Sequence, residues 1–118
     1  MTEEYCLPIR VYVEDTDAGG IVYYANYLKY IERARTELIR TLGYDKPALF
    51  DGLQFVVHSV EIKYRQPAVL DDEVLATAKL VKVSRTSFTI AQRVLRGDDV
   101  LVEAEVKVAC IHHEKKKP

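Results

Sequence analysis

The stretch EDTDAGGIVYYANYLKYIERARTELIRTLG, residues 14–43, opens with two acids one residue apart and two adjacent glycines, then takes up a helical period. Tyr24, Leu28, Ile31, Arg35, Leu38 and Leu42 recur at steps of three and four, the spacing of one helix face. Glu32, Arg33, Glu37 and Arg40 fall largely off that stripe, and Arg33 and Glu37 are spaced for an i,i+4 ion pair. The pattern predicts a helix from about Tyr23 to Leu42. Gly43 suits the left-handed position that ends a helix, and Pro47 opposes continuation.

On both sides of this stretch the period is two. Residues 5–14 read as a strand, with Ile9, Val11 and Val13 alternating against Arg10, Tyr12 and Glu14. After the PALFDG segment (47–52) everything reads as strand and turn. Val56, His58, Val60, Ile62 and Tyr64 are expected on one face, with Ser59, Glu61, Lys63 and Arg65 on the other. Residues 73–83, 86–96 and 100–110 follow, joined at Ser84-Arg85 and Gly97-Asp98-Asp99. No linker, repeat or low-complexity segment divides residues 1–118, so one domain is expected. The order is strand, long helix, four strands, an α+β layout of one helix on a five-stranded antiparallel sheet. One helix covers only part of such a sheet. Some of its surface then needs another partner, for which a homo-oligomer is the natural solution and a two-fold dimer the commonest.

Composition narrows the function classes. Hydrophobic residues make up 48% and charged ones 30%, with a formal net charge of −1, so no global basic field attracts nucleic acid. No apolar run approaches the roughly 18 residues of a membrane span, and Met1 to Arg10, broken by Glu3, Glu4 and Pro8, has no secretory h-region. Lys115 to Lys117 read as a solvated terminus. Cys6 and Cys110 are too few for a disulfide framework and read as reduced, buried thiols of a cytosolic protein. A disulfide between them is the lesser alternative, which requires neighbouring terminal strands.

The helix start carries the chemical suggestion. The first four N–H groups of a helix lack partners within it, and a Ser, Thr, Asp or Asn usually caps them. Gly20, Ile21, Val22 and Tyr23, directly before Tyr24, have no side chain able to do so. Either Asp17 folds back onto those donors or a ligand oxygen takes them. A carboxylate beside an oxyanion-binding helix end is a minimal hydrolytic site. The acid attacks a carbonyl carbon or activates water, and the N–H groups hold the oxygen that becomes anionic. A weak nucleophile such as Asp suits an activated carbonyl such as a thioester.

Other chemistries find less support. There is no G-x-S-x-G elbow, and neither cysteine lies in a loop beside a histidine. His112 and His113 have no ligand partners at metal spacing, so no metal site is expected. A calcium loop starting at Asp15 would place Gly19 and Asn26 where it needs acids. His58, on an apolar strand face, reads as a core or interface histidine before a catalytic one. Taken alone, the Asp15/Asp17 pair is also an ordinary solvated turn.

YVEDTDAGGIVYYANYLKYIERARTELIR (12–40), FVVHSVEIKYRQPAVLDDEV (55–74) and SRTSF (84–88) together resemble the hot-dog-fold acyl-CoA thioesterases, the 4-hydroxybenzoyl-CoA thioesterase family and its Tol-Pal-associated branch. The resemblance runs nearly the length of the chain. It implies a helix wrapped by the sheet, dimers or tetramers with sites at the subunit interface, an acyl-CoA substrate and no separate cofactor. It makes Asp17 the nucleophile or general base and the Tyr24 N–H the carbonyl-polarising donor, with Asp15 a structural acid. Gly20, Val22, Tyr23, His58, Lys82 and Arg85 are then the expected substrate contacts, the last two for the nucleotide phosphates near Ser84 to Thr86. The Tol-Pal branch has His where this chain has Tyr24, while the hydroxybenzoyl branch has an aromatic pair, as here. A module of this fold that binds acyl groups or a protein partner without turnover is the runner-up. A dehydratase would need a histidine in the active loop, which has none.

Overall fold

A computed structural model of the chain describes residues 3–43, 49–50 and 53–112. Pro47, the rest of the PALFDG segment apart from Leu49–Phe50, and the tail from His113 through the lysines lie outside the described residues. The alternating segments form β1 (Tyr5–Arg10), β3 (Leu53–Tyr64), β4 (Glu73–Val83), β5 (Ser87–Arg96) and β6 (Asp99–His112). A two-residue strand, β2 (Leu49–Phe50), adds to the five expected ones, and the helical stretch forms α1 (Asn26–Thr41). The sheet is antiparallel throughout, in the order β1-β4-β5-β6-β3-β2.

Period-two patterning puts Ile9, Val74, Ala76, Ala78, Ile90, Val94, Val102 and Val106 on one face, all buried. Onto this face α1 lays Tyr27, Ile31, Ala34 and Leu38, also buried. Ala34, Ala76 and Ala78 belong to the same fully buried cluster between helix and sheet. The helix rests on β4, β1 and β5, the β6 residues Val102 and Val106 are buried beside it, and the face stays partly open only along β3. There Val57, Val60 and Tyr64 remain exposed. The outer edge of β3, beyond the two residues that β2 pairs, meets no strand among the described residues.

One polar side chain sits inside the helix–sheet contact. Gln92, 1% exposed, donates from Nε2 to the carbonyls of Ile31 (2.8 Å) and Thr77 (3.0 Å), and its Oε1 accepts from Arg35 Nη1 at 3.0 Å. It thereby satisfies a position on the helix stripe that an apolar residue would ordinarily fill, at a site where burial lowers the Arg35 pKa.

Several local expectations are corrected. The first strand stops at Arg10, and Val13, 73% exposed, lies in a 3₁₀ turn (Val13–Asp15) rather than on the face of Ile9 and Val11. A bulge between Val57 and Ser59 breaks the alternation of β3. Phe55 and Val57 therefore share the face of Val60, Ile62 and Tyr64, while His58 is the residue left outside the register. Glu37 pairs with Arg40 (3.3 Å) rather than Arg33. The cysteines are free thiols but not buried ones, Cys6 being exposed and Cys110 half-buried. β4 and β5 separate their strands, which rules out the neighbouring-strand arrangement that a disulfide required. Gly43 takes the expected left-handed conformation (φ 106°).

Candidate active site

Between β1 and α1 the chain folds into a compact loop organised around Asp15. Its Oδ2 accepts the Tyr12 N–H (2.9 Å), closing the 3₁₀ turn. Its carbonyl accepts both the Tyr23 N–H (3.0 Å) and Asn26 Nδ2 (2.8 Å). Asp15 thus braces the loop through both its carboxylate and its carbonyl.

Asp17 stands at the tip of a tight hairpin. Thr16 and Val22 form an isolated antiparallel bridge, and the Asp17 N–H donates to the Ile21 carbonyl at 2.9 Å. Gly20, at φ 81°, makes the reversal in a conformation that L side chains rarely adopt. Asp17 Oδ1 accepts the Gly19 N–H at 2.8 Å, so the carboxylate is oriented by its own turn and does not cap the helix. Its side chain is exposed.

The helix begins without a side-chain cap, at Ala25. Three i→i+3 bonds, from the N–H groups of Asn26, Tyr27 and Leu28 to the carbonyls of Tyr23, Tyr24 and Ala25, tighten the first turn. The regular helix therefore starts three residues later than its apolar period suggested. The Tyr24 N–H finds no acceptor among the described residues. It is two residues from one side of the Thr16–Val22 bridge, and Asp17 is one residue from the other.

A groove of about 310 Å³ opens here, lined by Val22, Tyr24, Tyr27, Tyr64 and Arg65 among others. Tyr64 packs edge-on against Tyr24 and at a tilt against Tyr27, with ring centroids 5.8 Å apart in both cases. Burial raises the pKa values of Tyr64 and Tyr27, keeping both phenols neutral. The Tyr27 hydroxyl accepts the Ala68 N–H at 2.9 Å and so anchors the 65–70 segment to the helix. Arg65 is held in a two-point contact with Glu103 (3.1 and 3.3 Å). A slightly larger depression, about 370 Å³, lies among Glu61, Lys63, Arg93 and Glu103. It is remote from the uncapped helix start and adjoins neither Asp17 nor Tyr24, so the smaller groove is the better candidate.

The expected site residues thus divide into two groups. Asp17, Gly20, Val22, Tyr23 and Tyr24 converge at the helix start. Lys82 and Arg85 lie at the opposite end of the sheet, where the 84–86 turn meets Cys110 and, through it, Phe55. The strand from Cys110 back to Val102, beside Tyr64, spans about 26 Å at 3.3 Å per residue. His58 is exposed midway along β3. Tyr64, Arg65 and Tyr27 line the groove without having been singled out from the sequence, since their approach depends on long-range strand pairing. Among the described residues no group of three His, Cys, Asp or Glu side chains forms a metal cluster, and no helix is long and apolar enough to cross a membrane.

Comparison with known proteins gives a consistent picture. A family model described as the thioesterase superfamily matches residues 19–103. Acyl-CoA thioesterase YbgC of Haemophilus influenzae is 43% identical over 116 residues, covering 97% of this chain and 85% of that protein. Acyl-CoA thioester hydrolase YbgC of Escherichia coli is 42% identical over 113 residues, covering 94% and 84%. The crystal structure of a probable thioesterase from Bartonella henselae superposes with a TM-score of 0.87 at 35% identity, covering 95% of this chain and 94% of that one.

Proposed function

The chain belongs to the thioesterase superfamily, and from that premise we propose that it hydrolyses an acyl-CoA thioester to the free acid and CoA at the Asp17–Tyr24 site. The observation that carries this reading is the Tyr24 N–H, left without an acceptor at an uncapped helix start beside the hairpin that presents Asp17. Its relatives' names support the substrate class. With the thioester carbonyl on that N–H, Asp17 attacks the carbonyl carbon or activates a water to do so. Either route puts negative charge on the carbonyl oxygen, where the N–H and the helix dipole stabilise it. Collapse of that oxyanion breaks the C–S bond and releases the CoA thiolate. The water route gives the free acid directly, with Asp17 taking the water's proton, while the nucleophilic route leaves an acyl-Asp17 anhydride that a water then hydrolyses to the acid and free Asp17. Gly20, Val22 and Tyr23 frame the substrate, and the resemblance to the 4-hydroxybenzoyl-CoA thioesterases suggests an acyl or aroyl group beside the tyrosines.

Quaternary structure belongs to the same proposal. The exposed apolar residues of β3 and its outer edge beyond β2, which meets no strand among the described residues, favour a two-fold dimer in which two β3 edges run antiparallel. That arrangement reverses one sheet against the other. It would carry the 84–86 turn of the second copy, with Lys82 and Arg85, toward the Tyr24 end of the first. Basic residues at the far end of the sheet within one chain then become available to the phosphates of CoA. The test is thiol release from a panel of acyl-CoAs. Asp17→Asn is expected to lower turnover by about two orders of magnitude or more, roughly 3 kcal/mol of barrier. Hydrolysis by Asp17→Asn at the parent rate would overturn the reading.

A further inference from the structure

One place past the N-cap position, Ala25, stands a side chain that could serve the uncapped helix start as donor or as acceptor. Asn is among the preferred capping side chains, its Oδ1 accepting the N–H groups that open a helix. Asn26 is the first residue of α1 and is half-buried. It nevertheless does not cap. Its Nδ2 donates to the Asp15 carbonyl at 2.8 Å, and that same carbonyl takes the Tyr23 N–H at 3.0 Å. The Asn26 N–H returns to the Tyr23 carbonyl at 2.8 Å. The amide is therefore turned outward as a donor, and Asp15, Tyr23 and Asn26 form a closed set of contacts around the chain that leads to Tyr24.

We infer that Asn26 is a positioning residue of the site. It holds the Asp15–Asp17 loop to the helix start and keeps its own acceptor oxygen away from the Tyr24 N–H, which remains open to a substrate oxygen. This deepens the hydrolytic reading and rests on it. Asn26 is the side chain of the first turn that bonds the backbone of the loop carrying Asp17, while Tyr30, one turn on, faces the Asp15 carboxylate. Asp15 contributes to the clamp through its carbonyl, a group that no substitution at position 15 removes. The side-chain half of the clamp thus resides in Asn26.

The inference separates catalysis from stability. Asn26→Asp keeps the shape but loses the Nδ2 donors, and it places a carboxylate in the first helical turn, where the helix dipole favours it. A carboxylate there is repelled by the Asp15 carbonyl oxygen and attracted to the free N–H groups, including that of Tyr24. Helix stability is then maintained or improved while the oxyanion site is blocked. Asn26→Ala removes the clamp without supplying a competing acceptor. The experiment measures kcat and KM for acyl-CoA hydrolysis, thermal midpoint and oligomeric state for the parent, Asn26→Asp, Asn26→Ala and Asp17→Asn. The expected result is a kcat about 10-fold lower for Asn26→Ala and about 100-fold lower for Asn26→Asp. KM is expected to change less than 3-fold, and the Asn26→Asp midpoint to equal or exceed that of Asn26→Ala. If Asp17→Asn is inactive while both folded Asn26 variants turn over at the parent rate, the positioning role is wrong and the hydrolytic reading stands. If kcat falls only in proportion to lost folded protein, Asn26 is merely structural. Full activity in Asp17→Asn would remove the reading on which the inference rests. Should Asn26→Asp fail to fold, Asn26→Ala alone decides by the same split.

Discussion

Replacing Tyr24 in two ways separates its N–H from its phenol. Tyr24→Phe keeps the backbone donor and the edge-on contact with Tyr64, so most of the turnover is expected to remain. Tyr24→Pro deletes an N–H that bonds nothing among the described residues, at a position ahead of the helix interior where proline is tolerated. The fold is expected to persist while kcat drops about 10²-fold to 10³-fold, the usual effect of losing one oxyanion donor. Circular dichroism and oligomer size establish the folded state before rates are compared. A folded, fully active proline variant, or an inactive phenylalanine variant, would contradict the backbone assignment. At this scale the sequence was informative about absence: none of the four residues before Tyr24 can cap, and the helix is uncapped. It was silent about the Asn26 clamp, because a donor amide and an acceptor amide are the same residue type. Only the position of the Asp15 carbonyl decides which role Asn26 takes.

At the scale of elements, the helix and the five long strands were legible because each buries one face and therefore carries a period. Their irregularities were not. The bulges at Val57/Ser59, Leu80/Lys82 and Val94/Leu95 each insert one residue into an otherwise regular alternation. An extra residue leaves no mark on composition, yet it exchanges the two faces of everything beyond it. That is why Val56 and His58 were grouped with Val60, whereas Phe55 and Val57 share its face. The helix–sheet contact gives a prediction at the same scale. Gln92→Leu fits the apolar surroundings but leaves the half-buried Arg35 guanidinium without its Oε1 acceptor and the Thr77 carbonyl without its side-chain donor. Unfolding in urea is expected to show a loss of about 1–3 kcal/mol, the cost of stranding buried polar groups. An unchanged midpoint would mean that the network contributes nothing net.

For the molecule as a whole, the arrangement of surfaces points to a second copy. The helix shields most of one sheet face, and Val57, Val60 and Tyr64 stay exposed along β3, whose outer edge beyond β2 pairs with no strand among the described residues. Light scattering at micromolar concentration is expected to give at least twice the 13.5 kDa of the chain. Val60→Glu, placing a charge among the exposed apolar residues of β3, is expected to shift the population toward monomer and to reduce turnover with it. A parent protein that scatters as a 13.5 kDa species would contradict the dimer. The sequence indicated the need for a partner through the mismatch of one helix and five strands. It could not show which edge is free, because strand order is set by pairings tens of residues apart.

That strand order has a consequence for biosynthesis. β6 is the last strand to be made, but it lies between β5 and β3 and is hydrogen-bonded to both. Until it leaves the ribosome, β1, β4 and β5 can form one half-sheet while β3 waits with only the two-residue β2 paired to it. At about 5–20 residues per second, β3 spends some seconds as an unzipped apolar ribbon. The chain therefore closes like a keystone arch. A nascent or truncated chain ending before Asp99 would comprise two fragments with a seam between them, exposed to chaperones and to association with other incomplete copies.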